Sequence, residues 1–183
     1  MNKENAEENG LNNVQKMILY FFIYAILGWI LETVFCFLKL GTFVKRGFLY
    51  GPLCPMYGFA AVGMIQMLKK VKTNTLGRFL ICMIVFTAFE YIVAVILESI
   101  FGLKWWDYSN EKFNIQGRIC LMYSIAWGSV GEIFIEKIHP FVKRKIDKCT
   151  ALISKNIQAV LLYISVVVII VDFLLSIIKY INI

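Results

Sequence analysis

The chain has 183 residues, of which 60% are hydrophobic and 17% charged, with a mean hydropathy of +0.71. An average globular domain is about 45–50% apolar and about a quarter charged. One aqueous core of this size could not hide so much apolar surface, so the solvent for most of the chain is lipid. The seven excess positive charges lie in short loops between apolar runs, as membrane topology requires, which argues against a nucleic-acid partner.

Five apolar stretches are long enough to cross a hydrocarbon core of about 30 Å. They follow a polar tail over residues 1–16 and run Met17–Leu38, Pro52–Leu68, Phe79–Phe101, Ile119–Ile135 and Ala159–Ile178. The expected fold is therefore an all-α integral membrane protein: one transmembrane domain over 17–183, a bundle of about five helices. The second stretch is short, opens with Pro52 and Pro55 and carries Gly51, Gly58 and Gly63. It reads either as a plain short helix or as broken, re-entrant backbone covered by protein.

Placing the N-terminal tail on one side puts twelve Lys and Arg residues there, from Lys3 and Lys16 through Lys69, Lys70, Lys72 and Arg78 to Lys155. The other side holds seven. The richer side is expected to be cytoplasmic, with the N-terminus inside and the C-terminus outside. The stretch Met1–Asn13 lacks a basic region and a cleavage site, so no removable signal peptide is expected.

On the inner side, Val142, Ile146, Cys149, Ile153 and Ile157 form one apolar stripe, while Lys143, Arg144, Lys148 and Lys155 lie off it. Pro140 suits a first helical position. The segment Pro140–Ile157 reads as a basic amphipathic helix on anionic membrane lipid, serving as an anchor, as an extension of the flanking spans or as a docking surface for a cytoplasmic partner.

Acids inside the apolar runs carry the chemical content: Glu32, Glu90, Glu98, Glu132 and Asp172. Each is costly in lipid and should face the bundle interior or a wet cavity. Helical spacing sets Ala25, Gly28 and Glu32 on one face, Ser124, Gly128 and Glu132 on another, and Ser165, Asp172 and Ser176 on a third. Small residues mark the close-packed faces of membrane helices. Glu90 falls near the midplane with no basic residue at its depth. Glu32, Glu98 and Asp172 fall in the outer half, and Glu132 in the inner half. Arg118 is the expected counter-ion of Glu98, and Arg46 a second outer counter-ion. Glu90, Glu32, Glu132 and Asp172 are thus candidates for a substrate or proton pathway, or else hydrogen-bonded pins that set helix register.

Outside, Trp105, Trp106, Asp107, Tyr108 and Asn114 stand together. Tryptophan and tyrosine suit an interfacial belt, but the acid among them suits a rim for a polar molecule. The five cysteines have no C-x-x-C pair and the chain has one histidine, so neither a metal nor another cofactor is expected. A disulfide between Cys54 and Cys120 is conceivable on the outer side, while His139 reads as a boundary residue.

The blocks Gly28-Trp29-Ile30-Leu31-Glu32, Arg46 to Gly58, Phe89-Glu90, Leu97-Glu98, Trp105 to Ser109, Asn114 to Leu121 and Trp127-Gly128 resemble the bacterial family of type IV ABC-transporter permeases, over about residues 17–137. Lys45 stands where relatives often have Asn. The resemblance implies a membrane subunit that moves a substrate, powered by a separate ATPase. The sequence itself has no G-x-x-x-x-G-K-[ST] phosphate loop, and five spans are few for a pathway, so a second copy or another membrane subunit is implied. A non-catalytic scaffold or sensor, and an intramembrane enzyme without an evident nucleophile–base pair, are the other readings.

Overall fold

A computed structural model of the chain describes residues 11–68, 71 and 73–181. Residues 1–10 of the polar tail, and Lys69, Lys70 and Lys72 of the charge count, lie outside them. Helix α1 spans Asn13–Leu40. It starts ahead of the apolar run because Asn12 and Gln15 form a capping box, each side chain accepting from the other's backbone N–H, which satisfies two donors the helix start leaves open. It ends at Gly41, whose φ of 69° is the left-handed cap that glycine adopts without strain. Helix α2 spans Pro55–Leu68 and α3 spans Thr75–Phe101, capped by the Asn74 side chain and by left-handed Gly102. Then come strands β1 (Asn114–Ile115) and β2 (Ile119–Cys120), helix α4 (Leu121–Ile133), a π-turn over Phe134–Ile138, α5 (His139–Thr150) and α6 (Lys155–Ile181).

Helices α1, α3 and α6 have 28, 27 and 27 residues and are long and apolar enough to cross a membrane; at 1.5 Å per residue each reaches about 40 Å. Their outer faces are apolar, with Leu38, Ile84, Ile92, Tyr163 and Val168 all exposed. Helix α2, of 14 residues, is unbroken but reaches only about 21 Å. The fourth apolar stretch does not open as a helix: Ile119 and Cys120 pair with Ile115 and Asn114 in an antiparallel hairpin.

The segment expected as one amphipathic helix over Pro140–Ile157 divides. Helix α5 stops at Thr150, Ile153 lies in the following turn and Ile157 belongs to α6. The cause is Gln158, whose side-chain amide donates to the Thr150 carbonyl at 2.7 Å and the Ile153 carbonyl at 2.6 Å. These are carbonyls that a helix end leaves open. Ser154, at the start of α6, accepts from the Gln158 N–H. The apolar stripe could not reveal a break made by a polar side chain in the next helix.

The chain forms two compact units, Met1–Val62 with Lys143–Ile183, and Gly63–Val142. In the first, glycines bring α1 against the start of α2. A Cβ on Gly28 would overlap the Tyr57 ring, and one on Gly58 would lie 2.6 Å from Phe21 Cδ2. In the second, α3 and α4 run antiparallel at similarly close range. A Cβ on Gly128 would lie 2.7 Å from Phe79 Cε2, and one on Gly131 would lie 2.7 Å from Cys82 Cβ. Such approach lets dispersion and backbone contacts hold helices where lipid supplies no hydrophobic drive.

Gly131→Ala should therefore lower stability by about 1–3 kcal/mol, the usual cost of overpacking, read as reduced thermal unfolding temperature in detergent. Adding Cys82→Gly should restore part of it.

Candidate functional site

In the second unit the site is built around Glu90. The α3 backbone carries it to a position 3% exposed, and two neutral donors reach it. Tyr108 Oη donates to Oε1 at 3.0 Å and Trp127 Nε1 donates to Oε2 at 3.0 Å. Trp127 comes from α4 and packs against Phe86 at 5.9 Å. Tyr108 comes from the segment between α3 and β1, which turns back along α3 to reach Glu90.

That return path is set by local sequence. Gln116 and Gly117, the central residues of the Ile115–Arg118 turn, have φ of 55° and 70°, the signature of a type I′ hairpin turn, which favours glycine. Asn114 ties the loop together, its amide donating to the Ser109 and Glu111 carbonyls and its oxygen accepting from Gly117 N. Tyr108 N donates to Gly117 O at 2.7 Å, and the Tyr108 ring stacks on Tyr123 at 4.5 Å. A side chain on Gly117 would meet Ser109 Oγ and Asp107 Oδ1. Asp107 Oδ1 accepts from Ser109 Oγ at 2.5 Å and Ser109 N at 2.9 Å, which holds its carboxyl below the usual range. Tyr108, expected on an outer rim, packs its ring on Tyr123 and gives its hydroxyl to a buried acid. Trp106 donates to the Arg118 carbonyl at 2.9 Å.

Arg118 pairs with Glu98, Nη2 to Oε2 at 2.7 Å, and both border a shallow pocket with Lys104, Trp105 and Trp106. Gln116 accepts from Arg118 and, at 2.8 Å, from Tyr91 Oη. At the other end of α3, Arg78 holds Glu132 through Nη2 at 2.6 Å and Nε at 3.0 Å, and also bonds Glu136 in the π-turn. Glu132 is thus bound to an arginine whose place in the sequence suggests only a topology-setting charge. The sequence carries a signal for this pair: Arg78 immediately precedes the third apolar run, at the end expected on the same side as Glu132.

In the first unit, Glu32 accepts from Tyr57 Oη at 2.9 Å. Asp172 accepts from the Tyr50 and Gly51 N–H groups, both at 2.8 Å, and from Ser176 Oγ at 3.3 Å. Ser165, expected on the same face, bonds its own helix at Leu161 O. Backbone donors leave no trace in a side-chain pattern, so this anchor could not be read from sequence. Among the described residues Arg46 forms no ion pair with an acid: its Nε is buried without a hydrogen bond, and its carbonyl takes the Trp29 indole N–H at 3.1 Å. Cys54 and Cys120 are free thiols, so the conceivable disulfide is not formed. His139 stacks on Phe134 at 6.0 Å. Among the described residues, no group of three or more His, Cys, Asp or Glu could hold a metal ion.

Each of the five acids thus has its own donors within its unit. A family model described as "Putative ABC-transporter type IV" matches residues 19–177. The chain belongs to this family. No curated protein and no solved structure matches it. The family match takes in each acid described above and continues through α5 into α6, beyond the motifs that ended near residue 137.

The Asp107 geometry fixes a pH response. A depressed carboxyl pKa adds stability that is present above the unfolded value, about 3.9, and is lost as pH falls through the folded value. Hydrogen-exchange protection of the Ser109 amide should hold from neutral pH down to that value and disappear below it. Arg78→Gln should destabilise more than Glu136→Gln, because it strands Glu132 half-buried without its partner; thermal unfolding in detergent compares the two.

Proposed function

We propose that the chain is the membrane-embedded permease subunit of an ABC-type transporter, with ATP hydrolysed by a separate subunit. The observation that carries this reading is Glu90. Among the described residues no lysine or arginine forms an ion pair with it, and its two donors are neutral. A buried carboxylate that the protein leaves without a counter-charge is suited to receive one, as a proton or a cationic group on a small substrate. By contrast Glu98 and Glu132 are already paired with arginines and act as pins.

In this reading the five apolar stretches all span, α2 as a short helix supported by its neighbours, with the N-terminus cytoplasmic and the C-terminus outside. A second copy or another membrane subunit completes the pathway. Helix α5 lies along the cytoplasmic lipid surface, its Lys143, Arg144, Lys145 and Lys148 exposed and suited to anionic headgroups. The fact that α5 has no buried residue also favours a second reading: a membrane scaffold whose α5 surface docks a cytoplasmic partner.

The test is purification of the tagged full chain in mild detergent, identification of its stoichiometric partners, and ATP-dependent uptake of a panel of small cations by the reconstituted complex. An ATPase should co-purify, and Glu90→Gln should keep that partner while uptake falls at least about tenfold, since a missing charge partner is worth more than 1.4 kcal/mol. Unchanged uptake by Glu90→Gln would refute the role of Glu90. An unrelated partner lost on charge reversal in α5 would establish the scaffold.

A further inference from the structure

The first unit gathers two lysines around one aromatic ring. Lys45 Nζ stands 4.8 Å from the Tyr50 ring centroid, and Lys179 Nζ stands 5.1 Å from it and 5.0 Å from that of Tyr180. One comes from the segment between α1 and α2, the other from the last turn of α6, yet their shared ring keeps the ammonium groups within about 10 Å of each other. Neither forms an ion pair among the described residues.

The ring they share is fixed in place. Asp172 holds the backbone N–H groups of Tyr50 and Gly51 and the Ser176 hydroxyl, so this carboxylate is already engaged by its own donors. Phe48 packs on Phe173 at 5.4 Å and on Tyr180 at 5.2 Å, and Trp29 grips the Arg46 carbonyl. The segment carrying Lys45 is thereby tied to α6 on both sides of Tyr50. Two like charges held at one place by a braced backbone repel each other unless an anion comes between them, and lysine meets phosphate as a mobile point charge. The place is also open: Lys45 and Tyr50 are exposed. Below them the end of α6 presents Leu174, Leu175 and Ile178 outward, a surface for acyl chains at the depth where a spanning helix meets the headgroups.

We propose that Lys45 and Lys179, set around Tyr50, bind the phosphate group of an anionic phospholipid. The site shares no residue with the Glu90 site and does not depend on the transport reading. It is tested by native mass spectrometry of the delipidated full chain in detergent, titrated with phosphatidylglycerol or with phosphatidylcholine of the same acyl chains.

The wild-type chain should retain phosphatidylglycerol in preference. The double variant Lys45→Gln/Lys179→Gln should weaken that binding about thirtyfold, the combined effect of two lysine–headgroup attractions. Lys45→Arg/Lys179→Arg and Lys104→Gln should keep it. Inorganic phosphate distinguishes the source of the group. If millimolar phosphate fails to displace the lipid, the headgroup with its chains is the ligand; displacement in wild type alone assigns the same two lysines to free phosphate. Equal retention of the two lipids by the wild-type chain overturns the proposal without any variant. So does a phosphatidylglycerol preference that survives in the double variant or in Lys45→Gln, whose exposed side chain can be replaced without disturbing the packing.

Discussion

A carboxylate surrounded by hydrocarbon must be supplied with donors or with an opposite charge, because the lipid supplies neither. Five acids in the apolar segments of this chain face that demand, and each is answered differently. Glu98 and Glu132 take arginines, Glu32 takes a tyrosine hydroxyl, and Asp172 takes two backbone N–H groups. Glu90 takes the hydroxyl of Tyr108 and the indole of Trp127. These answers tie loops to helices. Asp172 fastens the segment after α1 to α6, and Glu90 draws the segment after α3 back along its own helix.

The second requirement is close approach. Where the acids need partners on a neighbouring element, glycine removes the side chain that would hold the elements apart. Gly28 admits Tyr57, whose hydroxyl then reaches Glu32. Gly117 does the same for a loop, making room for the Asp107–Ser109 contact beside which Tyr108 turns inward. The small residues and the acids are thus two parts of one arrangement, with backbone contact setting the distance and the polar pair setting the register.

The same reasoning separates the acids by role. An arginine-paired acid has its charge balanced within the fold, and removing one partner leaves the other exposed to an environment that cannot solvate it. Glu90 has its oxygens satisfied as acceptors but is given no counter-charge among the described residues, and the proposed transport role rests on that difference. Membership of a family of transporter components fits a group of that kind. The lysines around Tyr50 are the converse: positive charge gathered around one ring at a helix end without an ion-pair partner among the described residues.

Much of this protein is determined locally and can be read from the chain alone. Hydropathy places α1, α3 and α6, since twenty or more apolar residues in lipid can satisfy their backbone only as helix. The acids stand out by their cost in the same runs, and Arg118 with Glu98 can be paired by depth. The motif blocks indicate the family. What the tertiary structure decided are the partners whose sequence separation carries no pattern. Tyr50 and Gly51 meet Asp172 through backbone amides more than a hundred residues away, and every residue has such an amide. Gln158 ends a helix that the apolar stripe continues through. Tyr108 looks like an interfacial aromatic until a hairpin turns it onto Glu90. Periodicity records which face of an element is apolar; it does not record which polar group from another element will satisfy a buried donor or acceptor, because that depends on where the chain returns.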